Sequence, residues 1–152
     1  MKFRTVIAGA APSAIAAVVG SIASKDAKEV YENLKKPAWA PPAEVFGPVW
    51  SSLYTLIGYS GARMKRVGVS RKLWALHYVQ LGLNAGWSWA FFKEKNKTAS
   101  LLVITALNVS LTLELISLWQ RDRKAALALM PYAAWVAFAA ALNLSVDELD
   151  TA

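Results

Sequence analysis

His77, Gln80, Asn84, Trp87, Ser88 and Phe91 fall within about one third of the circumference of a helix turning ~100° per residue. The stretch that carries them, Leu73 to Phe92, contains no Asp, Glu, Lys or Arg. Polar side chains in so apolar a run are costly unless they face protein, water or ligand. Two kinds of chemistry suit the stripe. Its amides and imidazole can hydrogen-bond neighbouring helices. Alternatively, its amides and rings can hold a flat, largely apolar ligand. For Gln80 and Asn84 both readings stand. For His77 a packed, hydrogen-bonded histidine is favoured over a metal or haem ligand. With one His and no Cys in the chain, a His-rich or thiolate metal site is excluded. No Ser-His-Asp arrangement and no phosphate-binding Gly loop is present, so no catalytic residue is assigned.

Two further stripes carry aromatic rings. One holds Phe46, Trp50, Tyr54 and Ile57, and the other Pro131, Tyr132, Trp135, Phe138 and Leu142. Trp and Tyr near helix ends commonly anchor a membrane interface. That explanation remains open for Trp50, but Trp135 is about midway along its segment and fits it poorly. Thr105, Asn108 and Thr112 share a face of another segment, where Glu114 is a lone acid with no partner evident from the sequence. Away from the polar stripe, Gly82 and Gly86 form a small-xxx-small pair, suited to a homodimer or to close packing within one chain.

These residues must be positioned by membrane-spanning helices. The 152 residues are 56% hydrophobic and 18% charged, below the roughly 25% charged of a soluble domain. Five stretches approach the ~20 apolar residues needed to cross a bilayer: roughly 3–24, 45–64, 73–92, 98–119 and 125–146. The expected fold is therefore all-α, a single domain over 1–152 forming an integral membrane bundle of five transmembrane helices. The net charge of +7 sits in short clusters between apolar runs, which reads as topology and lipid contact, with no nucleic-acid partner. Ten Lys and Arg lie on the side of the N-terminus and seven on the other, favouring a cytoplasmic N-terminus. The acidic tail, Asp147, Glu148 and Asp150, would then lie on the far side with loop 25–44. Pro37, Pro41 and Pro42 stiffen that loop and resist helix, which suits a lid over the bundle mouth or a rigid linker with Trp39 at the interface. Lys2, Arg4 and the following apolar run up to Ser21-Ile22-Ala23 also admit a signal-peptide reading.

The ordered motifs resemble the translocator protein family, also called tryptophan-rich sensory proteins or peripheral-type benzodiazepine receptors (TspO/MBR). The family loop, roughly W-Y-x-x-L-x-K-P-x-W-x-P-P, is matched by Val30-Tyr31, Leu34, Lys36-Pro37, Trp39 and Pro41-Pro42. It continues into Val45-Phe46, Val49-Trp50 and Leu53-Tyr54. Gln80-Leu81, Leu83-Asn84, Trp87-Ser88 and Phe91-Phe92 match the third-helix pattern. Pro131-Tyr132, Trp135, Phe138-Ala139 and Leu142-Asn143 match the fifth. The resemblance covers the chain almost end to end. It implies a five-helix membrane fold, often dimeric, whose first segment is an uncleaved helix and whose first loop closes a pocket. It also implies ligands of the porphyrin or haem type, with no cofactor required, and a sensory, scavenging or transport role. The small compact chain, without an organelle-type leader, leans towards a bacterial cell membrane. By motif position Trp50, Asn84 and Trp135 match family pocket residues. The expected ligand-binding set is Trp39, Phe46, Trp50, Tyr54, Gln80, Asn84, Trp87, Phe91, Trp135, Phe138 and Leu142, with Gly82 and Gly86 as a dimer face. Two departures narrow the function. Val30 stands where the family usually has Trp, which weakens the alternative of a light-dependent porphyrin-degrading enzyme. The residues after Asn143 lack the aromatic and basic pair of animal members, which disfavours a cholesterol role. A structural, partner-binding protein is the remaining alternative.

Overall fold

The computed structural model describes residues 1–146; the acidic tail expected beyond them lies outside the described residues. Those residues form six α-helices: α1 (Phe3–Ala23), α2 (Ala27–Glu32), α3 (Phe46–Val67), α4 (Arg71–Ser88), α5 (Lys97–Arg121) and α6 (Arg123–Ser145). Five are long and match the five apolar stretches. Three of them, α1, α5 and α6, have both the length and the apolar composition to cross a membrane. Helices α3 and α4 carry more polar side chains, including Arg63, Lys65, Arg66 and the His77–Asn84 stripe.

The long helices close into a ring in the order α1, α3, α6, α5, α4 and back to α1. The chain reverses between successive long helices, through short connections except for loop 24–45. Since five is odd, one neighbouring pair, α1 and α4, must run parallel. The fully buried Ile57, Met64, Ile104, Leu107, Leu111, Leu118 and Leu129 fill the interior. Apolar residues face outward as well: Phe3, Ile15, Val18, Leu102, Ile116 and Leu144 are all more than half exposed. A surface of this kind is matched to hydrocarbon rather than water.

Local signals end the helices where expected. Ser70 caps α4 by accepting from the Leu73 N–H at 3.2 Å, and Asn96 caps α5 by accepting from the Ala99 N–H at 2.9 Å. Gly68, at φ 71°, closes α3 in the left-handed conformation that glycine adopts without a Cβ penalty. Between α5 and α6 a single extended residue, Asp122, reverses the chain. Its carboxylate accepts from Arg63 Nε at 2.6 Å and Nη2 at 3.0 Å, a bidentate pair tying the reversal to α3.

Two departures from the sequence reading are local. The prolines keep 35–42 out of helix as expected, while the six-residue α2, which the sequence reading did not place, forms ahead of them, where nothing in Ala27–Glu32 opposes it. The third apolar stretch does not stay α-helical to Phe92. It passes at Trp89–Lys93 into a π-helical turn, closed by the Glu94 N–H donating to Trp89 O at 2.9 Å.

The closest approach in the bundle is between α1 and α3. A Cβ at Gly9 would collide with the backbone of Gly61 and Ala62, and one at Gly61 with the Gly9 carbonyl. Ser13 Oγ donates to Tyr54 O at 2.8 Å along the same seam. By contrast, a Cβ at Gly82 meets open space, while one at Gly86 would lie 3.8 Å from Val103 of α5. Gly61→Ala is therefore expected to cost about 1–3 kcal/mol by overpacking, whereas Gly82→Ala should be neutral or slightly stabilising. Thermal unfolding in detergent distinguishes the two.

The hydrogen bonds from Arg63 hold the Asp122 carboxyl below the usual carboxylate range. A depressed folded-state pKa contributes stability that is complete above the unfolded value, about pH 4, and is lost as pH falls through the folded one. The stability gap between wild type and Arg63→Met should accordingly be widest at neutral pH and shrink below about pH 4. Unfolding midpoints recorded down an acid series test this; a constant gap would count against the pair.

Candidate ligand cavity and its polar backing

At the end of the bundle that carries loop 24–45, helices α1, α2, α3, α4, α6 and the π-helical turn line a cavity of about 590 Å³. Its walls are mostly rings. Trp50 and Trp135 meet edge to face with centroids 6.4 Å apart, Phe46 packs on Trp135 at 5.6 Å, and Phe138 on Trp135 at 5.2 Å. Across the cavity Trp87 and Phe91 lie 5.0 Å apart, and Phe91 and Phe92 4.9 Å apart. Both consecutive phenylalanines reach the cavity, as the wider π-helical turn allows.

Of the expected ligand-binding set, Phe46, Trp50, Tyr54, Trp87, Phe91, Trp135, Phe138 and Leu142 line this cavity. Trp39 does not; it lies half-exposed on the loop with its ring 5.8 Å from Phe138, outside the wall. Gln80 and Asn84 are also set back from the surface, fully buried behind Tyr54. Both amides make hydrogen bonds between helices. Tyr54 Oη donates to Asn84 Oδ1 at 2.7 Å, Asn84 Nδ2 donates to Tyr132 Oη at 2.8 Å, and Tyr132 Oη donates to Gln80 Oε1 at 2.8 Å. The chain joins α3, α4 and α6, and fixes the Tyr54 ring that forms part of the wall.

His77 is fully buried and hydrogen-bonded, but its partner was not foreseen. Its Nδ1 lies 2.6 Å from Glu114 Oε2, with both side chains inaccessible to solvent. Glu114, which looked alone in the sequence, is thus paired across the α4–α5 contact. Sequence spacing relates residues on one helix and had no means of matching these two.

Other cavity residues were missed. Tyr31 of α2 is buried, donates to Pro41 O at 2.6 Å and packs edge to face on Phe46 at 4.7 Å, which folds the loop back onto the bundle. Burial raises its hydroxyl pKa above the ordinary value. Lys36 Nζ reinforces the fold by donating to Tyr31 O at 2.7 Å. The motif beginning at Val30-Tyr31 held the signal for this residue, while Val30 itself is half-buried and does not line the cavity. Asn143 sits one position beyond the Leu142 stripe. It accepts from Trp87 Nε1 at 2.8 Å, and its Nδ2 has no hydrogen-bond partner. Lys28, a cationic lining residue, pairs loosely with Glu44 at 3.6 Å on the exposed rim. No sequence signal marked it. Among the described residues no cluster of His, Asp and Glu could hold a metal ion.

The family model described as TspO/MBR matches residues 8–149. The chain is 35% identical over 133 residues to the tryptophan-rich protein TspO of Chlorobaculum tepidum, covering 83% of this chain and 82% of that protein. It is 35% identical over 144 residues to the protein CrtK of Rhodobacter capsulatus, covering 90% and 87%. To the human translocator protein it is 33% identical over 121 residues, covering 76% and 72%.

Asn84 is the centre of the polar backing. Asn84→Leu strands the Tyr54 hydroxyl and removes one of the two hydrogen bonds of Tyr132, which keeps its bond to Gln80, for an expected loss of about 1–3 kcal/mol. It should also release the Tyr54 ring against Trp50, which lies 5.6 Å away. A lowered melting temperature together with a changed Trp emission spectrum is the expected result; an unchanged spectrum would show that Asn84 does not hold the wall.

Proposed function

This chain belongs to the TspO/MBR family, and from that premise we propose that it crosses the bilayer five times and binds a tetrapyrrole of the porphyrin or haem type in the aromatic cavity. The observation that carries the reading is the cavity itself. At about 590 Å³ it falls within the range of small-molecule sites. Its walls offer extended ring surface from Trp50, Trp135, Trp87 and Phe91, suited to a flat apolar macrocycle. Its polar atoms are few and include Ser24, Lys28 and Ser51, near the end where a ligand's polar edge would meet the membrane interface. The role we assign to that binding is sensory, scavenging or transport. The sensory and translocator names belong to relatives, and the role is extended to this chain by kinship. The charge bias of ten against seven basic residues supports a cytoplasmic N-terminus, with the cavity opening toward the opposite face of a bacterial cell membrane.

Protoporphyrin IX is expected to quench the Trp fluorescence of the detergent-purified chain saturably. Trp50→Ala and Trp135→Ala should each weaken binding about tenfold, equivalent to about 1.4 kcal/mol. Unchanged affinity in both variants would remove the ligand from this cavity.

A further inference from the structure

Asn143 lies in the last turn of α6, is fully buried and lines the cavity. Its amide carries one acceptor oxygen and an NH2 donor group. The orientation of that amide is fixed by its partner. The Trp87 indole can only donate, and its Nε1 lies 2.8 Å from Asn143 Oδ1. The oxygen is thus committed to Trp87, and the NH2 group must face elsewhere.

Nothing in the protein receives that group. Four buried side-chain atoms lack a hydrogen-bond partner among the described residues, and Asn143 Nδ2 is the one on a residue that lines the cavity. A buried donor left unpaired bears its full desolvation cost. Other asparagines in the bundle avoid it. Asn84 Nδ2 donates to Tyr132 Oη at 2.8 Å, and Asn108 Nδ2 donates to Ile104 O, one turn back, at 2.8 Å. Asn143 makes no such bond to the carbonyl of Ala139, one turn back on α6. The lining side chains beside it on α6 and around its partner Trp87 are Ala139, Leu142, Phe91 and Phe92, none of which carries an acceptor. The Ser88 hydroxyl lines the cavity as well but does not bond to it.

We propose that Asn143 Nδ2 donates to a carboxyl oxygen of the bound ligand, so that the cavity selects macrocycles with carboxylate side chains over those with alkyl side chains alone. This rests on the cavity being a tetrapyrrole site. Pyrrole nitrogens point to the centre of the macrocycle, which leaves its peripheral substituents as the acceptors that a wall residue meets. Among such substituents a carboxylate accepts most strongly, since an ionised acceptor makes a hydrogen bond roughly twice as strong as a neutral one. Trp87 improves the donor, because the bond accepted at Oδ1 polarises the N–H groups of the same amide. It also holds the amide in place, so that binding has little side-chain freedom left to remove. Lys28 is a poorer partner for the carboxylate. Its side chain is 67% exposed and paired with Glu44, where salt screens its charge.

The test compares mesoporphyrin IX with etioporphyrin I, in which ethyl groups stand in place of the propionates. Affinities are read by Trp quenching of the full chain in detergent at about pH 7.5, where the carboxyls are ionised. Salt at about 1 M shortens the screening length to about 3 Å and suppresses the contribution of Lys28. Wild type is expected to bind mesoporphyrin at least about tenfold more tightly than etioporphyrin. Asn143→Leu should bring that ratio close to one by weakening mesoporphyrin binding, with etioporphyrin affinity changed by less than about twofold. Should the leucine variant fail to fold, Asn143→Ala reads the same ratio. Equal affinities in wild type overturn the assignment and leave the cavity reading intact. So does a ratio that survives in the folded variants, the result expected if water satisfies Nδ2. A loss that falls on both porphyrins alike also overturns it, since Asn143 then serves only to hold Trp87. Failure of wild type to bind either porphyrin overturns both readings.

Discussion

The bundle depends on the hydroxyl of Tyr132. It is fully buried, receives a hydrogen bond from Asn84 and gives one to Gln80, and so joins α6 to α4 at two successive turns. Through Asn84 it also holds Tyr54 of α3. No water is available in hydrocarbon to substitute for such bonds, and lipid-facing apolar surface gives little preference for one helix arrangement over another. Polar matching of this kind, together with the close backbone approach at Gly9 and Gly61, selects one packing among many that would be equally greasy. The aromatic wall inherits its geometry from that selection, since Tyr54 faces the cavity on one side and the polar core on the other.

Much of this was legible in the sequence, for reasons specific to membranes. Apolar runs with charged ends locate helices well, and the five expected stretches differ from the five long helices by only a few residues at each end. The aromatic stripes on α3 and α6 were readable because a helix converts spacing into direction, and their rings do meet at Trp50 and Trp135. Relations between helices were less accessible. Gln80 and Asn84 looked equally suited to ligand contact and to interhelical bonding, and their shared partner Tyr132, on a third helix, could not be matched to them by spacing. Glu114 appeared solitary because its partner is 37 residues away. The π-helical turn gave no compositional warning, although it decides that Phe91 and Phe92 face the same space.

The loop over the cavity shows how prolines act at a distance from themselves. They were read as opposing helix, and they do so locally. Their larger effect is to make Pro41 present a carbonyl that the Tyr31 hydroxyl can reach. With Lys36 over the Tyr31 ring at 4.6 Å and Phe46 against its edge, one aromatic side chain gathers loop, short helix and bundle. The cavity is covered because this residue is anchored, and Trp39, expected among the ligand-binding residues, packs from outside.

The one-residue joint at Asp122 bears on how the protein comes to be inside a membrane at all. Helices α5 and α6 share no tether long enough for one to wait in water while the other enters lipid, so on the five-span reading they insert as a hairpin. Arg63, which grips the tip of that hairpin, belongs to a helix made earlier in synthesis. A ribosome delivering the chain from its N-terminus would thus present the receptor for the last turn before the turn itself has been made, and vectorial synthesis and final architecture agree.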